Sequence, residues 1–281
     1  MVEIRNPHFN LEQICQSGQC FRMKPINEIQ DENVFLKDSR YEVIAGDRYL
    51  EIAQKEDYCR FFCSQEEFDS FWKGYFDLEQ DYGMYIRRIS PRDTYLLNAA
   101  AFGLGIRILR QDLWEMIVSF LISQQNNIIR IRRCIDNICK TYGEKMNTPC
   151  GAVYYGFPTP QALAELTDDA LMACNLGYRS KYVVQAARRV VSGEMNLEEV
   201  RGMSYEKAKA ELLKMFGVGE KVADCICLFA LHHLEAFPVD THISQALQAH
   251  YKRGFPKKRY KGCQGVLQQY IFYYELKSIS K

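Results

Sequence analysis

The sequence predicts an α+β protein, with an N-terminal antiparallel β-sheet domain over residues 1–93 followed by an all-helical domain over residues 94–281. Three observations predict it. The first ninety residues alternate short runs of β-branched and aromatic residues with Asn, Asp and Gly turn signals, as antiparallel strands do. From Thr94 onward, apolar residues recur at helical spacing in one segment after another. Cap residues stand at the ends of those segments, and no internal repeat or low-complexity stretch interrupts them.

In the first part, "CFRMKPI", "ENVFLKD", "RYEVIAG" and "RYLEIAQ" read as strands. "SQEEFDSFWKGYF" reads as a helix, with Ser64 as N-cap and Glu67 three positions on to complete a capping box. In the second part, "DLWEMIVSFLISQQ", "NIIRIRRCIDNICKTYG", "TPQALAELTDDALMAC" and "KYVVQAARRVVSG" have helical periodicity. "SYEKAKAELLKMF", "EKVADCICLFAL", "THISQALQAH" and the closing "QGVLQQYIFYYELK" continue the pattern. Gly143, Gly193 and Gly217 stand where helices end, and Pro160 stands at a helix start.

A chain of 281 residues, 47% hydrophobic and 25% charged, is long enough for two or three packed subdomains. No apolar run approaches the roughly 18–20 residues of a membrane helix, so no membrane association is expected. The opening "MVEIRNPHFNLEQICQSGQC" is charged and mixed, which reads as no secretory leader and an intracellular protein. The eleven cysteines are scattered singly or as near pairs such as Cys15 and Cys20, and are expected to be reduced. No Cys-x2-Cys pair occurs, so a zinc site is not expected. Cys263 stands alone near the C-terminus, which speaks against a four-cysteine iron–sulfur cluster there.

The net charge is +1, but its distribution is uneven. Lys252, Arg253, Lys257, Lys258, Arg259 and Lys261 fall within eleven residues that contain no acid. Arg130, Arg132 and Arg133 form a second cluster, and Arg179, Lys181, Arg188 and Arg189 a third. Such patches either meet phosphate or are ordinary solvated faces.

The stretch from residue 212 to 242, "LLKMFGVGEKVADCICLFALHHLEAFPVDTH", carries the chemistry. It reads as a helix, a tight Gly217-Val218-Gly219 turn and a second helix beginning near Glu220, a helix-hairpin-helix over about 206–231. The glycines allow the sharp turn while Val218 anchors it. Amides at the start of the second helix make a seat for phosphate. A plain helical hairpin has the same letters. Lys221 lies in the first turn of that helix, where the dipole disfavours a cation and so favours the free, nucleophilic amine. An ordinary solvated lysine remains the alternative. Asp240 follows nineteen positions later, before a further helix. It reads as an N-cap, as a carboxylate able to stabilise an oxocarbenium-like sugar, or as both.

Hairpin, lysine and aspartate in this order resemble the helix-hairpin-helix DNA glycosylase superfamily. The resemblance implies that the Lys221 amine attacks the sugar C1′, forms a Schiff base and permits β-elimination at the abasic site. The whole chain is similar to the eukaryotic-type 8-oxoguanine DNA glycosylases. That similarity implies a backbone carbonyl at Gly18 accepting from N7 of the oxidised base, and Cys225 and Phe272 against its two faces. It implies Gln268 at the Watson–Crick edge of the base, with His242 and Glu275 near the phosphate and pocket. Tyr178 matches the aromatic wedge that fills the gap left by base flipping. Gln125, Arg130 and Arg179 match contacts to the orphaned cytosine, with Gln125 standing where the family has Asn.

The implied partner is double-stranded DNA containing an oxidised guanine, handled by a monomer located with the DNA. No redox or nucleotide cofactor and no catalytic metal is expected, although an ion can rest on the hairpin backbone at residues 216–219. The alternatives are a glycosylase for another damaged purine and a non-catalytic helix-hairpin-helix DNA-binding protein. Lys221 separates them, because a binding module has no use for an amine there.

Overall fold

The computed structural model describes residues 1–26 and 39–278. β1 (Val2–Arg5), β2 (Met23–Pro25), β3 (Ser39–Ala45), β4 (Arg48–Lys55) and β5 (Tyr58–Phe61) form a five-stranded sheet in the order β1-β5-β4-β3-β2. β1 runs antiparallel to β5, with Val2 opposite Phe61, and β2 runs antiparallel to β3, with Met23 opposite Val43. β1 and β5 were not foreseen, because four residues are too few to display an alternating pattern. The expected strand "ENVFLKD" lies outside the described residues.

The helices are α1 (Leu11–Gln16), α2 (Gln65–Glu67), α3 (Lys73–Tyr75), α4 (Tyr82–Arg87), α5 (Thr94–Phe102), α6 (Leu113–Ile122) and α7 (Ile128–Tyr142). A short antiparallel ribbon, β6 (Lys145–Asn147) and β7 (Val153–Tyr155), interrupts the helical part. It is followed by α8 (Pro160–Ala164), α9 (Asp168–Met172), α10 (Arg179–Val191), α11 (Leu197–Arg201) and α12 (Tyr205–Leu212). α13 (Glu220–Phe229), α14 (Thr241–His250) and α15 (Gln264–Ser278) complete the chain. No helix among the described residues is long and apolar enough to cross a membrane.

The helix foreseen at residues 64–76 is wound more widely in its middle, with a π-helical turn over Phe68–Trp72 between α2 and α3. Ser64 Oγ accepts from the Glu67 amide at 3.0 Å as expected. The Glu67 carboxylate, however, accepts from Trp72 Nε1 at 2.9 Å, an indole that the wider turn brings within reach.

Compactness divides the chain differently from its linear order. One unit comprises Met1–Val43, Leu50–Arg110 and His232–Lys281, and the other Ile44–Tyr49 and Gln111–Leu231. The first unit is held by edge-to-face aromatics, with Phe61 at 4.9 Å from Phe68 and 5.7 Å from Phe76. It also contains a buried polar cluster. Arg107 is fully buried, donates to the carbonyls of Phe76, His8, Asp77 and Gln80, and lies 4.1 Å over the Tyr82 ring. The Asp77 carboxylate accepts from Tyr82 Oη at 3.1 Å and Arg110 Nε at 3.0 Å, and lies 3.2 Å from His232 Nε2.

The second unit is built around α6, every residue of which is buried. A helix buried on every side belongs at the centre of a bundle, and α7, α10, α11 and α13 all pack on it.

Candidate active site

α12 and α13 form the expected hairpin. Gly217 has φ +86°, and a Cβ there would come within 2.6 Å of the Tyr182 ring, so only glycine fits. Val218 is buried and donates its amide to the Met215 carbonyl. Gly219 is the N-cap of α13 and brings no side chain to close it, so the first amides of α13 face the hairpin mouth. The two helices are clamped by Asp224, which accepts from Tyr205 Oη at 2.6 Å and pairs with Lys209 Nζ at 2.9 Å. Burial would lower the Lys209 ammonium, but its bonds to Glu220 and Asp224 outweigh that and hold it above its ordinary range. The lysine of the clamp therefore stays charged.

Lys221 lies at that uncapped end of α13. Its Nζ is 5.5 Å above the Phe120 ring of α6, so the amine stands on an aromatic floor. Cys225 is buried one turn further along the same face of α13. Among the described residues no group of three His, Cys, Asp or Glu side chains is placed to hold a metal. An ion at residues 216–219 would have to rest on backbone carbonyls.

The wedge and amide residues sit together in the same unit. Tyr178 is 51% exposed at the start of α10. Its ring meets Tyr182 edge-on at 5.8 Å, and Tyr182 meets Phe216 at 5.2 Å. Most of the amide run is occupied locally. Asn127 caps α7 by accepting from the Arg130 amide, and Asn126 and Gln124 donate to the Ile122 and Leu121 carbonyls. Gln125 is left exposed, with a left-handed backbone at φ +46°. Arg130, five positions on, is exposed as well. Arg179 is buried, an arrangement the sequence did not reveal. Its Nε donates to the Gln124 carbonyl at 2.8 Å and its Nη2 to the Gln125 carbonyl at 2.9 Å, with the guanidinium 4.5 Å over the Tyr178 ring. It braces the strained Gln125 backbone and the exposed Tyr178 at once. Arg188 and Arg189 of the third basic cluster are also occupied, by the carbonyls of Ala164, Leu166 and Lys214.

The remaining candidates lie in the first unit. Asp240 is the N-cap of α14, its Oδ1 accepting from the Ile243 amide at 2.9 Å. Its Oδ2 is 3.2 Å from His242 Nδ1, and the His242 ring meets Phe272 edge-on at 5.8 Å. Gln268 is buried one turn before Phe272 on α15, its Nε2 donating to the Pro238 carbonyl at 2.9 Å. That bond joins α15 to the loop that presents Asp240. Glu275 accepts from Tyr95 Oη at 2.6 Å. Gly18 has φ +72° and lies between fully buried Ser17 and Gln19. The Gln19 amide donates to Ser17 Oγ and the Arg107 carbonyl and accepts from the Leu109 amide, so the backbone around Gly18 is held on three sides.

Residues 1–117 match the model of the 8-oxoguanine DNA glycosylase N-terminal domain. Residues 118–261 match that of the HhH-GPD superfamily base excision DNA repair protein. The Clostridium acetobutylicum 8-oxoguanine glycosylase/lyase, solved with double-stranded DNA containing cytosine opposite 8-oxoguanine, is 36% identical with a TM-score of 0.86, over 97% of this chain and 93% of that one. MBOgg1, solved with a low-affinity DNA ligand, is 35% identical with a TM-score of 0.88, over 99% and 96%. The N-glycosylase/DNA lyase of Saccharomyces cerevisiae is 36% identical over 168 residues, which is 56% of this chain and 45% of the yeast protein. The match thus spans about half the length of that relative. The two-part fold, the hairpin and these likenesses lead to one conclusion: the chain belongs to the 8-oxoguanine DNA glycosylase family, within the helix-hairpin-helix superfamily of base excision DNA repair proteins.

Proposed function

We propose that this protein is a bifunctional DNA glycosylase and AP lyase that excises 8-oxoguanine from duplex DNA, preferentially opposite cytosine, acting as a monomer inside the cell. The observation that carries this reading is the Lys221 amine, set over the Phe120 ring at the uncapped N-terminus of α13. The hairpin amides hold a phosphate. Tyr178 fills the gap in the stack, and Gln125 and Arg130 reach the orphaned cytosine. Arg179 joins them with donors released from the Gln124 and Gln125 carbonyls. The flipped base is taken up by Gly18, Cys225, Gln268 and Phe272, and the nucleotide's phosphate by His242.

The chemistry follows from an amine and a carboxylate. The unprotonated Lys221 amine attacks C1′ while the glycosidic bond breaks and its electron pair leaves with the base. Asp240 stabilises the positive charge that develops at the sugar. Opening of the C1′–O4′ bond leaves a Schiff base on Lys221. Loss of a C2′ proton then expels the 3′ phosphate and nicks the strand.

Borohydride trapping on duplexes carrying 8-oxoguanine opposite each of the four bases, with an undamaged duplex beside them, tests this. A covalent adduct strongest with cytosine and lost in Lys221→Gln is the expected result. A Lys221→Gln enzyme with unchanged turnover, or binding without an adduct on any duplex, sinks the assignment.

A further inference from the structure

We propose that residues 251–261, together with Arg88 and Arg92, form a second duplex-binding surface that grips undamaged backbone several base pairs from the flipped nucleotide. The inference rests on the proposed function in taking DNA as the substrate and in setting Asp240 beside the reacting sugar. Lys252, Arg253, Lys257, Lys258, Arg259 and Lys261 are all exposed, as are Arg88 and Arg92. None of these eight enters an ion pair among the described residues, whereas Lys24, Lys73, Lys140 and Lys214 each pair with a carboxylate. Six unpaired cations within eleven residues, joined by Arg88 through its bond to the Lys261 carbonyl, make a local positive field in a chain of net charge +1.

The surface is built, although the segment has no regular secondary structure. Phe255 is buried, with ring centroids 4.7 Å from Phe237, 5.2 Å from Tyr251 and 5.6 Å from Tyr260. Tyr260 Oη accepts from the Ser90 amide at 3.2 Å, and Arg88 Nη2 donates to the Lys261 carbonyl at 2.9 Å. These two bonds fix the segment to the loop that carries Arg88 and Arg92. The Gln264 side chain accepts from the Gly262 and Cys263 amides and donates to the Lys257 carbonyl, closing the turn from below. Asp93, the acid that meets Tyr251, is tied by the tyrosine Oη at 3.1 Å and by its own cap on the Leu96 amide. The aromatics are thus turned inward, with Lys257 Nζ 5.2 Å over the buried Phe237 ring, while the six cations of the segment remain exposed. A fixed array of cations loses little freedom on meeting phosphates, which favours binding to a regular backbone.

Its position sets where on the DNA it acts. α14 begins at its cap Asp240 and runs ten residues to Tyr251, about 15 Å at 1.5 Å per residue. At about 3.4 Å of duplex per base pair, a surface displaced by that length along the DNA axis meets backbone about four base pairs from the reacting sugar.

The test is a quadruple variant, Lys252→Gln, Arg253→Gln, Lys258→Gln and Arg259→Gln, measured on an undamaged duplex and on a lesion duplex. Affinity for both is expected to fall about tenfold or more at low salt, and the salt slope to become shallower by about 0.9 for each phosphate no longer neutralised. Single-turnover excision at saturating enzyme is expected to stay within about twofold, because no substituted residue belongs to the site. A matched variant neutralising Lys24, Lys73, Lys140 and Lys214 makes the same change in net charge and is expected to keep its affinity. Shortening one duplex arm to under about four base pairs is expected to abolish the difference between wild type and the first quadruple variant, on one side of the lesion only. Wild-type affinity in that variant, or equal losses in it and the matched variant, overturns the inference. Single Arg253→Gln and Lys258→Gln variants, each expected to lose about twofold, serve if the quadruple variant fails to fold. Failure of the wild type to excise 8-oxoguanine counts against the proposed function and leaves the undamaged-duplex result intact.

Discussion

The two oxygens of Asp240 do different work, one capping α14 and the other lying beside His242. Substitution can separate them. Asp240→Asn retains a cap acceptor and is expected to unfold within about 0.5 kcal/mol of wild type, whereas Asp240→Ala loses about 1 kcal/mol in urea titration. Both are expected to slow single-turnover excision about a hundredfold or more, because each removes the negative charge proposed to face the sugar. An Asn variant of near-normal rate would reduce Asp240 to a cap. The cysteines permit a second prediction at this scale. Cys150 is exposed, while burial pushes the Cys59 thiol up to about 12 and the Cys63 thiol up to about 11, each with help from a nearby carboxylate. Since the thiolate is the reactive form, a short iodoacetamide pulse at pH 8 read by mass spectrometry is expected to label Cys150 first. Cys59 is expected to react only after unfolding, and equal labelling of the two would contradict this burial.

Among the elements, the α12–α13 hairpin and α10 are joined through one ring, since Tyr182 touches Tyr178, Phe216 and the space above Gly217. Gly217→Ala is expected to cost about 3 kcal/mol, from a left-handed backbone and an overlap with the ring. Adding Tyr182→Ala is expected to recover the overlap part in a double-mutant cycle, which strict additivity would refute. This joint explains what the sequence could and could not reveal. The hairpin, the place of Lys221 in the first turn of its second helix and the Asp240 cap were legible because their spacing lies within a single stretch of about thirty residues. α6, α7, α10 and α13 were legible from apolar period and caps. The brace made by Arg179 was not, because a buried arginine bound to carbonyls 54 and 55 residues away has the same letter as a surface one. The Gln268 bond to Pro238, 30 residues earlier, escaped for the same reason. β6 and β7, at three residues each, are too short to carry a period.

At the scale of the whole molecule, the first unit is tied across distant parts of the chain by Asp77, Arg107, Arg110 and His232. Burial alone would raise the Asp77 carboxyl, but His232 and Arg110 reverse this and hold it below its ordinary range. A carboxyl lower in the folded than in the unfolded state contributes stability that is complete above the unfolded value of about 3.9 and lost as pH falls through the folded value. Asp77→Asn is therefore expected to cost about 3 kcal/mol at pH 7, the scale for breaking a buried pair. The gap to wild type should narrow below about pH 4 in urea titrations, and a gap independent of pH would exclude this linkage. The same cluster bears on how the protein is made. His232, and with it α14 and α15, is synthesised after the whole of the Gln111–Leu231 segment. A ribosome adding about 5–20 residues per second needs on the order of ten seconds for that segment. Throughout that interval the nascent sheet and Arg107 lack the histidine and helices that complete their unit. Chaperones that shield apolar surface on emerging chains thus have a defined window in which to act on the first half of this protein, and the second unit is the first whose sequence is complete.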